Sequence, residues 1–221
     1  RQRQMCIRDR CIPASSCFRV TEPGFDCRRW KPRSRVCWNW SNVAETTQQK
    51  RLFLALWPDE VTRHRLALVQ KKLAKIPRLM SARPVPADNL HLTTHFLGDV
   101  SVEVYAQLRA LLDDVRAQPS TLVIDRWGYF PKARVLWLGG DSSAELNDLV
   151  AQTLSCVQAC VEHYQQKRFI PHITLFRKAR HPLEVNGIEP ISWRIDRFAV
   201  VESVTHPHGA EYTVLDEWKL Y

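Results

Sequence analysis

The sequence predicts a domain of two related lobes, each built from strands and helices, that face each other across a cleft. The first observation is a duplicated motif, with His91 and Thr93 in one copy and His172 and Thr174 in the other, each within an apolar stretch typical of a strand. The second is that both motifs end the same series of strand, helix, loop and strand. This series spans 39 residues in the first half and 37 in the second. Such a duplication places the two motif strands on opposite walls of the cleft.

The first half begins with an apolar strand over residues 51–56. A helix is expected from about Asp59, because four apolar residues follow at helical spacing: Leu66, Val69, Leu73 and Ile76. A proline-rich loop leads to the strand over residues 90–97, which carries the first motif. A second helix is expected after Ser101, a residue type favoured as an N-cap.

The second half repeats this order. Ser142 and Glu145 have the spacing of a capping box and predict the start of a third helix. Ile-Asp-Arg followed by an aromatic residue occurs downstream of both motifs, at 124–127 and 195–198, which supports the duplication. The remaining predicted strands cover residues 121–127, 134–138, 169–177, 193–202 and 212–221.

The paired motifs indicate phosphodiester chemistry. Residues i and i+2 of a strand point to the same face, so each motif presents an imidazole beside a hydroxyl. Two imidazoles can act as general acid and general base, and hydroxyls can hydrogen-bond phosphate oxygens. We therefore predict that His91 and His172 are catalytic and that Thr93 and Thr174 bind phosphate.

Charge and cysteine content change sharply near residue 50. Of the net charge of +9, residues 1–50 supply eleven Lys/Arg against four Asp/Glu, which leaves the rest of the chain nearly neutral. Five of the seven cysteines lie in the first 40 residues, without a C-x-x-C pair that would indicate zinc. We expect residues 1–49 to be an extension that is disordered or not native to the domain, and residues 50–221 to form the domain. A cysteine-rich accessory module is the alternative for residues 1–49.

Several segments together resemble a known family. They are RLFLAL at 51–56, PADNLHLT at 86–93, FLG at 96–98, RVLWLG at 134–139 and PHITL at 171–175. With its two HxTx motifs, the chain over 50–221 resembles the two-histidine phosphoesterase superfamily. Within it, the likeness is to the bacterial RNA 2′,3′-cyclic phosphodiesterases, also called 2′-5′ RNA ligases. The resemblance implies an α+β fold of two pseudo-symmetric lobes, whose antiparallel sheets are flanked by helices and line a central groove.

The resemblance also assigns roles to the motif residues. It implies that His91 donates a proton, that His172 accepts one, and that Thr93 and Thr174 hydrogen-bond the phosphate. No metal or other cofactor is implied.

Three further residues are candidates for the groove. The resemblance places Arg134 where a basic residue can face the phosphate, and Phe53 where an aromatic side chain can line the groove. His95 departs from the family, in which a small or apolar residue is common. By alternation along the strand it shares the face of His91 and Thr93, so we expect it at the edge of the groove.

The implied activity is hydrolysis of RNA 2′,3′-cyclic phosphate ends to 2′-phosphomonoesters, with reversible 2′-5′ RNA ligation as a further activity. The expected partners are RNA ends or short oligonucleotides. No membrane partner is expected, because no run of 18 or more apolar residues occurs. We expect a cytoplasmic monomer.

Three alternatives stay open: a phosphodiesterase for 2′-5′ oligonucleotides or small cyclic nucleotides, a catalytically silent module that binds RNA ends, and a metal site built from the histidines. The last would need carboxylate or cysteine ligands where the motifs have threonine.

Overall fold

The computed structural model of the chain describes residues 6–7, 10–11, 48–183, 187–207 and 209–221. The chain divides into two units, Arg1–Val43 and Ala44–Tyr221. In the first unit two short strands, β1 (Cys6–Ile7) and β2 (Arg10–Cys11), pair antiparallel. The extension predicted over residues 1–49 lies mostly outside the described residues, and its character stays a prediction.

The second unit is α+β, as predicted. Its helices are α1 (Glu60–Leu73), α2 (Val102–Leu112) and α3 (Ala144–Cys160). Its strands are β3 (Gln49–Leu56), β4 (Arg83–Pro84), β5 (Leu92–Ser101), β6 (Ser120–Ile124), β7 (Arg126–Phe130), β8 (Val135–Gly139), β9 (His172–Arg177), β10 (Ile191–Ile195), β11 (Arg197–His206) and β12 (Gly209–Lys219). Among the residues described, no helix is long and apolar enough to cross a membrane.

Most strands join one antiparallel sheet of eight. Its order is β12-β11-β3-β5-β9-β8-β7, and β4 pairs with the free part of β9. The first-half strand β5 meets the second-half strand β9 through one residue pair, Leu92 opposite Ile173. The two motif strands are therefore neighbours at the centre of one sheet rather than on opposite walls of a cleft, and the two lobes are joined along this line.

The repeated Ile-Asp-Arg marks the same structural event in both lobes. Single strands were predicted over 121–127 and 193–202, and both predictions are wrong, because each segment breaks at its aspartate. β6 and β10 pair with each other in a separate two-stranded sheet, and the chain enters the main sheet just after Asp125 and Asp196. In each break the arginine Nε lies 2.9 Å from the aspartate Oδ1, in Arg126 to Asp125 and in Arg197 to Asp196.

One of the two predicted N-cap serines is confirmed, and the other N-cap lies one residue later than predicted. Ser101 caps α2, and its hydroxyl accepts a hydrogen bond from the backbone N–H of Val104. The third helix is capped by Ser143 rather than by the predicted Ser142. The hydroxyl of Ser142 instead donates to Asn147 at 2.7 Å.

The two faces of the sheet carry different cores. Leu52, Leu54 and Leu56 of β3 are fully buried in the large cluster that includes residues from all three helices. The alternate residues of the same strand, Phe53 and Ala55, belong to a small cluster on the opposite face. The helices therefore cover one face, and the other face is left for the groove.

Candidate active site

The first motif histidine is held by its own backbone. His91 lies directly before β5, and its Nδ1 donates to the carbonyl oxygen of Asn89 at 2.7 Å, since a carbonyl can only accept. In the neutral ring, Nε2 then keeps its lone pair and lies 3.0 Å from the Oγ1 of Thr93. The hydroxyl of Thr93 can donate to this nitrogen, and it can accept from it once the ring is protonated. His91 and Thr93 therefore form a hydrogen-bonded pair in either protonation state of the ring.

The second motif histidine is fixed in the same way. His172 is the first residue of β9, and its Nδ1 donates to the carbonyl oxygen of Ile170 at 2.7 Å. As with His91, this carbonyl lies two residues before the histidine. The two motifs therefore share the hydrogen bond that sets the tautomer of the histidine. In each neutral ring, Nε2 is the nitrogen that can accept a proton.

Aromatic rings surround both imidazoles. The ring of His91 lies 5.0 Å from those of Phe53 and Trp57, and Trp57 stacks nearly parallel to it at 14°. Tyr212 meets His91 edge-on at 5.1 Å. In the described part of the chain, the rings of Phe130 and Trp137 lie next to His172, and the centroid of Phe130 is 5.0 Å away. Such packing restricts the rotation of both rings and removes water from them.

A cavity of about 430 Å³ is lined by residues of both motif strands, among them Thr93, His172 and Thr174, whereas His91 is not among its lining residues. Three basic residues also line it: Lys167, Arg168 and Arg177. Among the described residues, the lining contains no carboxylate. The site therefore combines histidine, hydroxyl and positive charge, a set of groups that can bind a phosphate.

His95 is not at the edge of the groove, and that prediction is wrong. A β-bulge at Thr94 shifts the register, so that Thr93 pairs with Ala55 and His95 pairs with Leu54. His95 consequently turns to the helix face and is only 1% exposed. There it contacts the side chains of Gln166 and Thr153, both at 2.9 Å.

A matching bulge lies in the second motif strand. Thr174 pairs with Trp137 and Phe176 pairs with Leu136, which leaves Leu175 as the extra residue. In each strand the residue five places after the histidine therefore returns to the groove face. These residues are Phe96 and Arg177, and both line the cavity.

Sequence reasoning missed Arg177, although it is the cation closest in sequence to the second motif. Strict alternation assigns Arg177 to the opposite face from His172 and Thr174, and the bulge reverses this. Its charge is close enough to His91 to lower the pKa of that imidazole. The aromatic residues around the two histidines were also missed, except Phe53, because their strands were predicted without their pairing.

Arg134 and Phe53 lie in different surroundings from those expected of substrate contacts. Arg134 is exposed in the turn before β8, at a φ of 54°, and is not among the residues that line the cavity. The structure does not bring it together with the two threonines. Phe53 lies on the groove face as expected, but it is only 3% exposed and packs beside the ring of His91.

The site keeps both imidazoles neutral near neutral pH. Burial is the main cause of a pKa of about 4 for His91, and its hydrogen bond to Asn89 opposes this shift only in part. The charge of Arg177 lowers the pKa of His91 further, and so does His172 when it is protonated. Burial also lowers the pKa of His172, against the opposing effect of its bond to Ile170.

The chain is similar to a known family and to proteins with a known activity. Residues 56–137 match the family model described as LigT like Phosphoesterase. The RNA 2′,3′-cyclic phosphodiesterase of Escherichia coli (strain K12) is 33% identical over 180 residues, which are 79% of this chain and 98% of that protein. The protein of the same name from Thermotoga maritima is 30% identical, over 76% of this chain and 94% of that protein.

The fold is also similar to that of solved structures of related proteins. The crystal structure of E. coli LigT in complex with NADP+ superposes with a TM-score of 0.71 at 31% identity. The match covers 78% of this chain and 99% of that one.

Proposed function

This chain belongs to the LigT-like phosphoesterase family, and on that premise we propose that it hydrolyses RNA 2′,3′-cyclic phosphate ends to 2′-phosphomonoesters. His91 and His172 are the proposed acid and base. Thr93, Thr174 and Arg177 are the proposed ligands of the phosphate oxygens.

The observation that carries this proposal is the matched setting of the two histidines. In each, Nδ1 is committed to a backbone carbonyl at 2.7 Å, and Nε2 is the nitrogen available for proton transfer. A threonine hydroxyl follows two residues later on each strand. General acid–base catalysis needs two such groups on opposite sides of one reacting centre, and a duplicated motif on two central strands supplies them.

In the proposed reaction, His172 takes a proton from water as the water oxygen attacks phosphorus. The bond between phosphorus and the ribose 3′ oxygen breaks, and His91 gives that oxygen a proton. The 2′ oxygen keeps the phosphate. One imidazole has then gained a proton and the other has lost one, and exchange with solvent restores the starting state.

In the proposed reaction, His91 must take up its proton when the substrate binds. With a pKa of about 4, His91 is neutral at pH 7 in the free protein. A bound phosphodiester carries a negative charge, which raises the pKa of a neighbouring imidazole. Binding of an anionic ligand should therefore take up a proton, which calorimetry in buffers of different ionisation enthalpy can measure.

The charge that develops on the phosphoryl oxygens needs donors rather than a metal ion. Thr93 and Thr174 supply hydroxyl donors, and Arg177 supplies a guanidinium that can form charge-assisted hydrogen bonds. The strained five-membered ring and a protonated leaving oxygen favour bond cleavage. We therefore propose a reaction without metal, on the basis of the donor types that line the cavity.

RNA is the proposed partner, and the cytoplasm the proposed location because of that substrate. We also propose that the protein acts as a monomer. Both motif strands come from one chain and pair directly, so the site needs no residue from a second copy.

The test is incubation of the purified protein with RNA that ends in a 2′,3′-cyclic phosphate, in the presence of EDTA. We expect conversion to the 2′-phosphate alone, at a rate that EDTA does not change. Formation of the 3′-phosphate would contradict the assignment of the leaving oxygen. Loss of turnover in EDTA with recovery on adding zinc or manganese would contradict the metal-free reaction.

The same assay separates the alternatives. A silent binding module would retain the RNA without product. A phosphodiesterase for 2′-5′ oligonucleotides would show a higher kcat/KM for a 2′-5′ linked dinucleotide than for the cyclic end.

A further inference from the structure

A second cavity adjoins the catalytic one. It has a volume of about 870 Å³ and shares Phe96 and Arg177 with the catalytic cavity. Its wall also carries Arg51 and Arg83. This volume lies in the range of small-ligand sites, and the shared residues place the two cavities side by side.

The charge in the second cavity is mainly positive. Among the residues that the structure describes, three guanidinium groups line it against one carboxylate, that of Glu211, which lies 3.1 Å from His206. Arg51 is 4.0 Å from Asp99, and both side chains are about half exposed, so this pairing neutralises little of the charge. The guanidinium of Arg51 also lies 5.0 Å from the ring centre of Phe96, at the junction of the two cavities.

Arg83 and Arg177 lie directly opposite each other on the antiparallel strands β4 and β9. Like charges in this cross-strand position repel each other. Within the described parts of the chain, neither arginine forms a salt bridge. An anion bound between them would relieve this repulsion.

The backbone around Arg83 fits this arrangement. Gly209, at a φ of 149°, lies so close that a side chain there would come within 2.9 Å of the Nη2 of Arg83. The next residue, Ala210, accepts a hydrogen bond from the side chain of Asn89 at 3.0 Å. Asn89 is also the residue whose carbonyl holds His91. The wall of the second cavity is thus tied to the catalytic histidine.

We propose that the second cavity binds the phosphodiester group on the 5′ side of the terminal nucleotide, between Arg83 and Arg177, with Arg51 adding positive charge. The guanidinium of Arg177, which lines both cavities, is then shared with the cyclic phosphate. This inference rests on the proposed function, which places the cyclic phosphate of the same nucleotide beside the two histidines. The preferred substrate is then an RNA chain rather than a free nucleoside cyclic phosphate.

Two commercial nucleotides test the phosphate contact on the full chain. Adenosine 2′-phosphate is the product without a 5′ phosphate, and adenosine 2′,5′-bisphosphate adds that group. We expect the 5′ phosphate to tighten binding by about tenfold, as a charge-assisted contact does. Arg83→Gln should remove most of this gain and leave the affinity for adenosine 2′-phosphate unchanged, and Arg83→Lys should restore part of it.

The matched control is Arg65→Gln, which removes the same charge from an exposed position on α1 outside both cavities. It should keep the full gain. A gain of the same size in Arg83→Gln, or an equal loss of affinity for both nucleotides, would overturn the proposal. So would the absence of any gain in the unmodified protein.

A dinucleotide with a 2′-phosphate end checks that a diester is accepted, and it should bind with the same dependence on Arg83. If only the dinucleotide gained affinity, the contact would be to the added nucleoside, and the phosphate subsite would be wrong. Failure of the proposed function has a different signature. The unmodified protein would then not hydrolyse an RNA end that carries a 2′,3′-cyclic phosphate, whatever the two affinities are.

Discussion

The imidazole of His91 is held neutral at physiological pH because it is buried among Phe53, Trp57 and Tyr212 and lies near Arg177. The proposed reaction needs this same ring to carry a proton when the leaving oxygen departs. In the proposed reaction the substrate supplies the negative charge that favours the protonated ring. The surroundings of His91 therefore favour the neutral ring in the free protein, and the protonated ring is expected only with substrate bound.

This tuning predicts how stability depends on pH. The pKa of His91 falls from 6.5 to about 4 on folding, so the unfolded chain binds the proton more tightly. The stability that comes from the neutral ring is complete above pH 6.5 and is lost as the pH falls towards 4. At pH 5 the loss should reach about 2 kcal/mol relative to pH 8.

His91→Gln removes this titration. Its free energy of unfolding should therefore rise relative to the unmodified protein as the pH falls from 8 to 5, by about the same 2 kcal/mol. Urea unfolding at both pH values measures the difference. His64→Gln, which removes an exposed imidazole of α1, is the control for the loss of a histidine. An identical pH dependence in His91→Gln and the unmodified protein would show that His91 is not shifted.

At the scale of elements, the two β-bulges decide which side chains reach the groove. The sequence predicts the motif strands well, because apolar runs and the HxTx repeat are local signals. It also predicts that His91, Thr93, His172 and Thr174 share one face, because each pair lies before its bulge.

Beyond the bulges, sequence reasoning fails for a physical reason. Alternation assumes a regular ladder, and one extra residue reverses every face that follows. His95 was therefore expected in the groove and lies in the core, whereas Arg177 was overlooked and lines the groove. The breaks at Asp125 and Asp196 were missed for a related reason, since they depend on the pairing of β6 with β10, which is distant in sequence.

The buried position of His95 gives a prediction for the packing of β5 on α3. Its ring contacts Gln166 and Thr153 at 2.9 Å and lies 3.2 Å from the carbonyl oxygen of Val150. His95→Ala would remove these three contacts and leave a cavity in the core. We expect a loss of about 2–4 kcal/mol in the free energy of unfolding.

Denaturant unfolding of His95→Ala against His64→Ala tests this, because the second variant removes an exposed imidazole. The control should change stability by less than about 0.5 kcal/mol. An equally small effect of His95→Ala would mean that the buried contacts contribute nothing.

At the scale of the whole molecule, the two lobes form one continuous sheet, and the groove lies on the face that the helices leave open. The family likeness and both cavities belong to the unit Ala44–Tyr221. The first 50 residues differ from it in charge and in cysteine content.

We therefore expect a truncated chain that begins at Glu45 to keep the melting temperature and the turnover of the full chain. Thermal unfolding and the cyclic phosphate assay on both forms measure this. A large fall in either quantity would show that the first segment contributes to the domain.

The central claim is that His91 and His172 divide the acid and base roles, and the leaving group tests it most directly. Loss of either imidazole should slow hydrolysis of a cyclic phosphate end by about 10²–10⁴-fold. A nitrophenyl phosphodiester has a leaving group that needs no proton, so the acid becomes unnecessary while water still needs its base. With this substrate, the measured kcat/KM of His91→Ala should recover much of the lost activity, and that of His172→Ala should stay low. Equal recovery of both variants would contradict the division of roles, and recovery of His172→Ala alone would reverse it.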